Sequence, residues 1–300
     1  MESLPFVSVV VPVYNDKGGL AICLRALIDQ SYPPDLFEII VVDNGANPRI
    51  GEVVGEESGI RLIAEDTPGS YAARNAAIAA ARGDVFAFID ADIEADPNWL
   101  YEGVSAIDTD PKFGLVGGAV EFSFADPGRP SLAELTDSLI HFDQEKYVEI
   151  FHYSGAGNLF TRRDVFDRVG LFNPGLRSGG DREWGNRVHQ KGLTLKYVPS
   201  AKVYHPARTS LAELIVKARR VSGRQKLEMG SVAPLKKFLQ YGETVVRGLM
   251  PPISQIKDAR RRYKGGIARF AMVVGAIYLL KIVRTYEFVR ISVGGEPLRE

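Results

Sequence analysis

The sequence predicts an α/β protein: a doubly wound sheet followed by a basic helical extension. Three observations carry that prediction. From Phe6 to Asp92, apolar β-branched runs alternate with helix-forming stretches, the pattern of a sheet whose strands are covered on both faces. One of these runs, Val85 to Asp92 (VFAFIDAD), ends abruptly in two carboxylates, Asp90 and Asp92. That puts fixed negative charge at the carboxyl edge of a sheet, where open α/β folds bind ligands. The third observation is the layout of charge: residues 211–300 hold 18 Lys and Arg against 7 Asp and Glu, a net of +11, and residues 1–210 carry the balancing −11. With 300 residues and 45% hydrophobic content the chain can bury a substantial core, so one large domain with an appendage, or two modest domains, is expected.

Taken in order, Phe6 to Val13 is a continuous β-branched run interrupted only by Ser8, and it stops at Pro12, Tyr14, Asn15 and Asp16. Leu20, Leu24, Leu27 and Ile28 then recur at helical spacing. Phe37 to Val42 is a second strand, closed by Asp43 and the turn-forming Asn44-Gly45, and Arg61 to Ala64 is a third. Gly69 to Asn75 (GSYAARN) leads an alanine-rich helix to Ala81, and Gly83-Asp84 ends it before the VFAFIDAD strand. Asp96-Pro97 reads as a helix N-cap followed by Pro at the first helical position. Phe113 to Phe124 is a further strand, and Ser131 to Phe151 an amphipathic helix. After Ser154 to Asn158, a helix from Arg162 to Val169 closes at Gly170, and Gly179-Gly180-Asp181-Arg182-Glu183-Trp184 opens another to Gln190. Two short strands, Thr194 to Val198 and Lys202 to Tyr204, lead to His205-Pro206.

The tail differs in kind. Residues 211–264 read as basic helices broken at Pro251-Pro252. Phe270 to Leu280 is uncharged for 11 residues, short of the roughly 20 that a bilayer crossing needs. Arg269, Lys281, Arg284, Glu287 and Arg290 fall within about half of a helical circumference. The helix is therefore amphipathic: it packs on protein, including a second copy in a homodimer, or lies on a membrane surface, which the basic run Arg260 to Arg262 favours. Nucleic acid is a poor partner, because no reader motif accompanies the charge. The single cysteine, Cys23, excludes an intramolecular disulfide. The N-terminus has a short apolar run and no basic n-region, so a secretory signal is not expected, and the reading is a cytoplasmic protein, peripheral at the inner face of the membrane.

Asp90 and Asp92, spaced i and i+2, suit a shared hard cation, although that triplet alone serves phosphatases, kinases and transferases alike. What surrounds it discriminates. Pro12 to Asn15 ends the first strand, Val41 to Asp43 the second, GSYAARN leads a helix, and Gly155 to Asn158 and Gly180 to Glu183 follow the acidic triplet. In this order the motifs resemble family 2 of the nucleotide-sugar-dependent glycosyltransferases, over residues 5–225. The resemblance implies the GT-A fold, a Rossmann-like doubly wound mixed sheet. It also implies a catalytic domain of residues 1–210, nucleotide-binding up to about 95 and acceptor-binding beyond, ahead of the 211–300 tail.

The resemblance carries roles with it. Asp43 corresponds to the carboxylate that accepts from the base of the donor, apt for the N3–H of uracil or thymine. Pro12 and Tyr14 correspond to the lip around base and ribose, Arg74 to a nucleotide contact, and Asp90 to a residue facing ribose or metal. Asp92 would bind Mn²⁺ or Mg²⁺ on the diphosphate, with His205 completing that site, and Arg220 and Arg224, next to Arg219, would close over the diphosphate. Asp181 corresponds to the base that takes the acceptor's proton, with Glu183 and Trp184 on the acceptor side. The family pattern has Glu before the base, where this chain has Gly180. The implied activity is inverting transfer of a single sugar from a UDP- or dTDP-sugar, with GDP-sugars behind, to a glycan or lipid-linked acceptor. A sugar nucleotidyltransferase would need a basic Gly-rich loop after the first strand, which Pro12 to Asp16 does not offer, and a nucleotide-binding scaffold without turnover is the other alternative. His141, His152 and His189 are read as structural.

Overall fold

The computed structural model describes residues 4–45, 50–55, 60–176, 178–228 and 234–296, with side chains described throughout these except over 222–240. It divides into two compact units, Met1–Phe122 with Phe142–His205, and Ser123–His141 with Pro206–Glu300.

The first unit opens with β1 (Val7–Val13), α1 (Lys17–Ile28), β2 (Phe37–Asp43), α2 (Ile50–Val54), β3 (Ile60–Ala64), α3 (Ser70–Ala80) and β4 (Val85–Ile89). All four strands are parallel, and β1 and β4 are buried along their whole length, as expected of runs that are apolar but for Ser8. There follow β5 (Glu94–Ala95), α4 (Trp99–Asp108) and β6 (Phe113–Ser123), then α5 (Leu132–Ile140), which belongs to the second unit. The first unit resumes with α6 (Gln144–Glu149), β7 (Asn158–Arg162), α7 (Arg163–Val169), α8 (Gly180–Gln190) and β8 (Thr194–Pro206). The sheet order is β3-β2-β1-β4-β7-β6-β8-β5, and β7 runs antiparallel to β4, which makes the sheet mixed. Apolar clusters fill both faces, one around Leu20, Leu27 and Trp99, the other around Phe86, Phe88, Phe172 and Trp184.

Register fixes what meets at the carboxyl edge. Val13 pairs with Asp43 and Val10 with Phe88. Continued by two residues, the β1–β4 register brings Asp90 level with Pro12. Pro12, which has no N–H to give, sits past the last β1–β4 pair and is tolerated in a central strand for that reason.

Several elements differ from the sequence expectations. Asp96 does not cap α4: its carboxylate accepts from Asn98 N in a local turn and the helix begins at Trp99. The expected helix over Ser131 to Phe151 is two helices, because the chain turns at His141 to Asp143, where Phe142 takes a left-handed φ of 53°. Strand β7 occupies a segment expected to be a loop running into a helix. The two expected short strands after Thr194 are one, β8, which passes through Pro199-Ser200 without breaking.

The second unit adds α9 (Leu211–Glu228), α10 (Pro234–Leu249), α11 (Ile253–Arg262) and α12 (Ile267–Ser292). A capping box starts α5: Ser131 Oγ accepts from Glu134 N, and Glu134 accepts from Ser131 N. Helix α12 packs on α5, α9, α10 and α11 through Val273, Ile277, Leu280, Phe288 and Ile291. Its charged side is partly turned inward, with Glu287 fully buried and paired to Arg219 and Arg290. Among the described residues no helix is long and apolar enough to cross a membrane.

At the heart of this unit lies Asp137, fully buried on α5. Burial alone would raise its pKa. The His141 ring (2.5 Å), the Lys217 charge and the Arg208 backbone N–H reverse that, and the carboxyl stays well below the usual range. His141 is also pushed down, to about 3, by burial and then by the charge on Lys217. The neutral ring suits both its neighbours, donating from Nδ1 to Asp137 and offering Nε2 to the Arg284 guanidinium at 3.4 Å. Because the folded value lies below the free value of 6.5, His141 contributes stability above pH 6.5 that is lost as pH falls toward 3. Between pH 7 and pH 5 the linkage amounts to about 2 kcal/mol. Urea unfolding at the two pH values is expected to show the wild type losing about that much more stability than His141→Gln, and equal losses would contradict the neutral assignment.

Candidate active site

The nucleotide edge is built by the turns after β1 and β2. Tyr14, half exposed, and Asn15, in a left-handed conformation with φ 52°, leave β1, while Pro12 is buried within the strand. Gly45 packs against both: a Cβ there would lie 2.9 Å from Asn15 Oδ1 and 3.2 Å from the Tyr14 ring. Asp43 is half-buried and accepts from Gly45 N at 2.9 Å. Asn44, singled out by sequence only as a turn former, ties the edge together. Its amide donates to the carbonyls of Glu65 and Thr67, and its Oδ1 accepts from Gly69 N at the head of α3.

The end of β4 forms the second part of the site. Asp90 is ion-paired with Arg74, and Arg74 is buried, not a surface charge on an alanine-rich helix. Among the described residues the buried Arg74 Nε–H has no hydrogen-bond partner. Two residues on, Asp92 keeps 44% of its side chain exposed, and its Oδ2 lies 3.5 Å from Nε2 of the buried His205. The His205 ring is held between Phe122 and Phe142, at centroid distances of 5.7 and 4.8 Å. An exposed carboxylate oxygen beside an imidazole nitrogen is a donor set that suits a divalent cation, and the nitrogen favours Mn²⁺ over the harder Mg²⁺. Behind this edge Asn158 joins three strands and a helix: it accepts from the Trp99 indole and donates to the carbonyls of Ala119 and Ala201.

The third part is the start of α8. Gly179 turns the chain with φ 74°, and Asp181 follows in the first helical turn. Its Oδ1 accepts from Arg182 N at 2.8 Å and from the Tyr71 hydroxyl of α3 at 3.3 Å. Gly180 packs flat on Tyr71, since a Cβ on it would stand 2.8 Å from the ring. A side chain at this position would collide with that ring. Burial and the charge of Asp181 both push the Tyr71 phenol up, so it stays a neutral donor.

One acceptor-side expectation is corrected. Trp184 is fully buried between Phe166 and Phe172, with its indole N–H on the Gly170 carbonyl, and cannot stack on a sugar. Glu183 is held by Arg187 through two hydrogen bonds of 2.7 and 3.0 Å. Asn75 is likewise structural, bonded twice to the Phe172 backbone. Arg220 stands on α9 in the second unit, where Arg219 is paired with Glu287, and the side chain of Arg224 lies outside the described residues.

Residues 8–170, more than half of the chain, match the model of glycosyl transferase family 2. The chain belongs to glycosyltransferase family 2. Glycosyltransferase AglE of Haloferax volcanii is 35% identical to it over 268 residues, 87% of each chain. Pre-mycofactocin glycosyltransferase of Mycobacterium tuberculosis is 28% identical over 236 residues, which span 76% of this chain and 47% of that protein. Among solved structures, mannosyltransferase PcManGT of Pyrobaculum calidifontis, in complex with GDP-Man and Mn²⁺, matches at a TM-score of 0.64 and 18% identity over 98% of this chain and 89% of that one. GalNAc-T7 with UDP, GalNAc and Mn²⁺ matches at 0.54 and 21%, over 70% and 45%. The fold of this family 2 enzyme is GT-A.

Proposed function

We propose that this glycosyltransferase transfers one sugar, with inversion, from a UDP- or dTDP-sugar to a glycan or lipid-linked acceptor, with a GDP-sugar as the next candidate donor. The observation that carries the reading is the gathering of Asp43, Asp90 and Asp92 at one sheet edge, with His205 3.5 Å from Asp92. Asp43 would accept from the pyrimidine N3–H beside Tyr14. The Arg74 Nε–H, a buried donor with no partner among the described residues, supports a contact to a ligand oxygen. Both solved neighbours were captured with a nucleotide or nucleotide sugar and Mn²⁺. Asp92 and His205 would hold such a cation, which when bound supplies charge neutralisation to a diphosphate.

In the chemical step the acceptor hydroxyl attacks the anomeric carbon as the bond from that carbon to the diphosphate oxygen breaks. The hydroxyl proton passes to Asp181, and the nucleoside diphosphate departs with the bonding pair. One displacement on one face inverts the anomeric configuration. The second unit would meet the membrane surface: Val246, Leu249, Met250 and Ile253 are exposed around the α10–α11 turn, close in sequence to the exposed Arg260, Arg261 and Arg262.

A panel of sugar nucleotides with Mn²⁺, read by mass spectrometry, is expected to give transfer or slow hydrolysis with one donor. Asp181→Asn is expected to lower turnover by about 10²–10⁴-fold with nucleotide binding intact, and Asp92→Ala to remove metal-dependent turnover. No reaction with any donor, or full activity in Asp92→Ala, would sink the reading. For the membrane contact, sedimentation with phosphatidylglycerol vesicles at low salt and release at high salt is expected. Equal behaviour with neutral vesicles would count against it.

A further inference from the structure

We infer that Tyr71 is the positioning residue for the proton acceptor Asp181, and that Gly180 is the space its ring requires. The inference rests on the proposed role of Asp181 and adds the group that sets its direction.

Four observations support it. The Tyr71 hydroxyl lies 3.3 Å from Asp181 Oδ1, the same oxygen that accepts from Arg182 N at 2.8 Å, so two donors fix one carboxylate oxygen. The ring itself has little freedom: it is buried, its centroid is 5.9 Å from that of Phe172, and the Arg74 guanidinium lies over it, 5.6 Å from its centroid. Any side chain at Gly180 would displace it, because even a Cβ would come within 2.9 Å of three ring carbons. The last observation is the helix that carries it. Tyr71 and Arg74 are three residues apart on α3, one reaching Asp181 and the other Asp90. Side chains at that spacing leave one helix face about 5–6 Å apart at Cβ. Helix α3 thereby ties the proton acceptor and the acidic strand end to a single rigid element, and Asn44 holds the head of that helix through Gly69.

A hydroxyl donating to a carboxylate stabilises its ionised form. Removing only that oxygen is therefore expected to leave donor binding alone, to weaken the base's aim and to raise the pH at which it ionises. The test is Tyr71→Phe, assayed with the active donor across pH, beside Asp181→Asn and Gly180→Ala. The expected result for Tyr71→Phe is a kcat lower by about tenfold, a donor KM within about twofold, and an acid limb of the kcat/KM profile moved upward by about half a unit or more. Gly180→Ala is expected to move kcat and the acid limb in the same direction, with an unfolding midpoint that shows the chain still folded. If Tyr71→Phe keeps both kcat and the acid limb of the wild type while Asp181→Asn is inactive, the positioning role is overturned and the base assignment stands. If Asp181→Asn retains turnover, the base assignment fails and the role of Tyr71 falls with it.

Discussion

A guanidinium removed from water must be matched by a carboxylate, and in this chain the match between Arg74 and Asp90 sets the rest of the site. Leaving the buried Arg74 charge unmatched would cost several kcal/mol, so helix α3 and the end of β4 are held in one arrangement. Other contacts then follow from where α3 must lie. Its head donates from Gly69 N to Asn44, just past β2, its first turn presents Tyr71 to Asp181, and Asn75 bonds twice to the backbone at Phe172. The edge that gathers Asp43, Asp90 and Asp92 is thus supported by one short helix whose alanines let it sit close to the sheet.

The parallel half of the sheet was legible because its strands are buried on both faces and therefore read as unbroken apolar runs. Strand β4 carries that signature in full, β1 carries it apart from Ser8, and β2 carries it from Ile39 to Val42. Strand β7 does not: Asn158 and Thr161 are polar but fully buried, each hydrogen-bonded to the backbone of neighbouring elements, so composition alone disguises the strand. Strand β8 was read as two because Pro199-Ser200 carries turn chemistry, whereas both residues lie on an exposed stretch where a strand tolerates them. The GT-A architecture came from the order of the motifs and not from periodicity.

The site was legible where side chains act alone and less so where they act in pairs. Carboxylates at strand ends could be picked out by position. That Arg74 is buried against Asp90, that Trp184 belongs to the aromatic core, and that Glu183 is engaged by Arg187 are outcomes of packing between segments far apart in sequence. Gly180 is the clearest case. As a sequence feature it is a departure from the family pattern without a cause; the cause is a tyrosine ring 109 positions earlier that occupies the place of its side chain. In the second unit, Asp137 and His141 gave no periodic signal either, yet one neutral tautomer of that histidine satisfies both a carboxylate and a guanidinium.

The central claim is that the acidic end of β4 holds a nucleoside diphosphate through a divalent cation. Calorimetric titration of the chain with UDP, once in Mn²⁺ and once in EDTA, tests it most directly. The account predicts binding at least about tenfold tighter with Mn²⁺, a difference of about 1.4 kcal/mol, and predicts that Asp92→Ala removes the difference. Equal affinity with and without the metal, or a metal effect that survives Asp92→Ala, would contradict it.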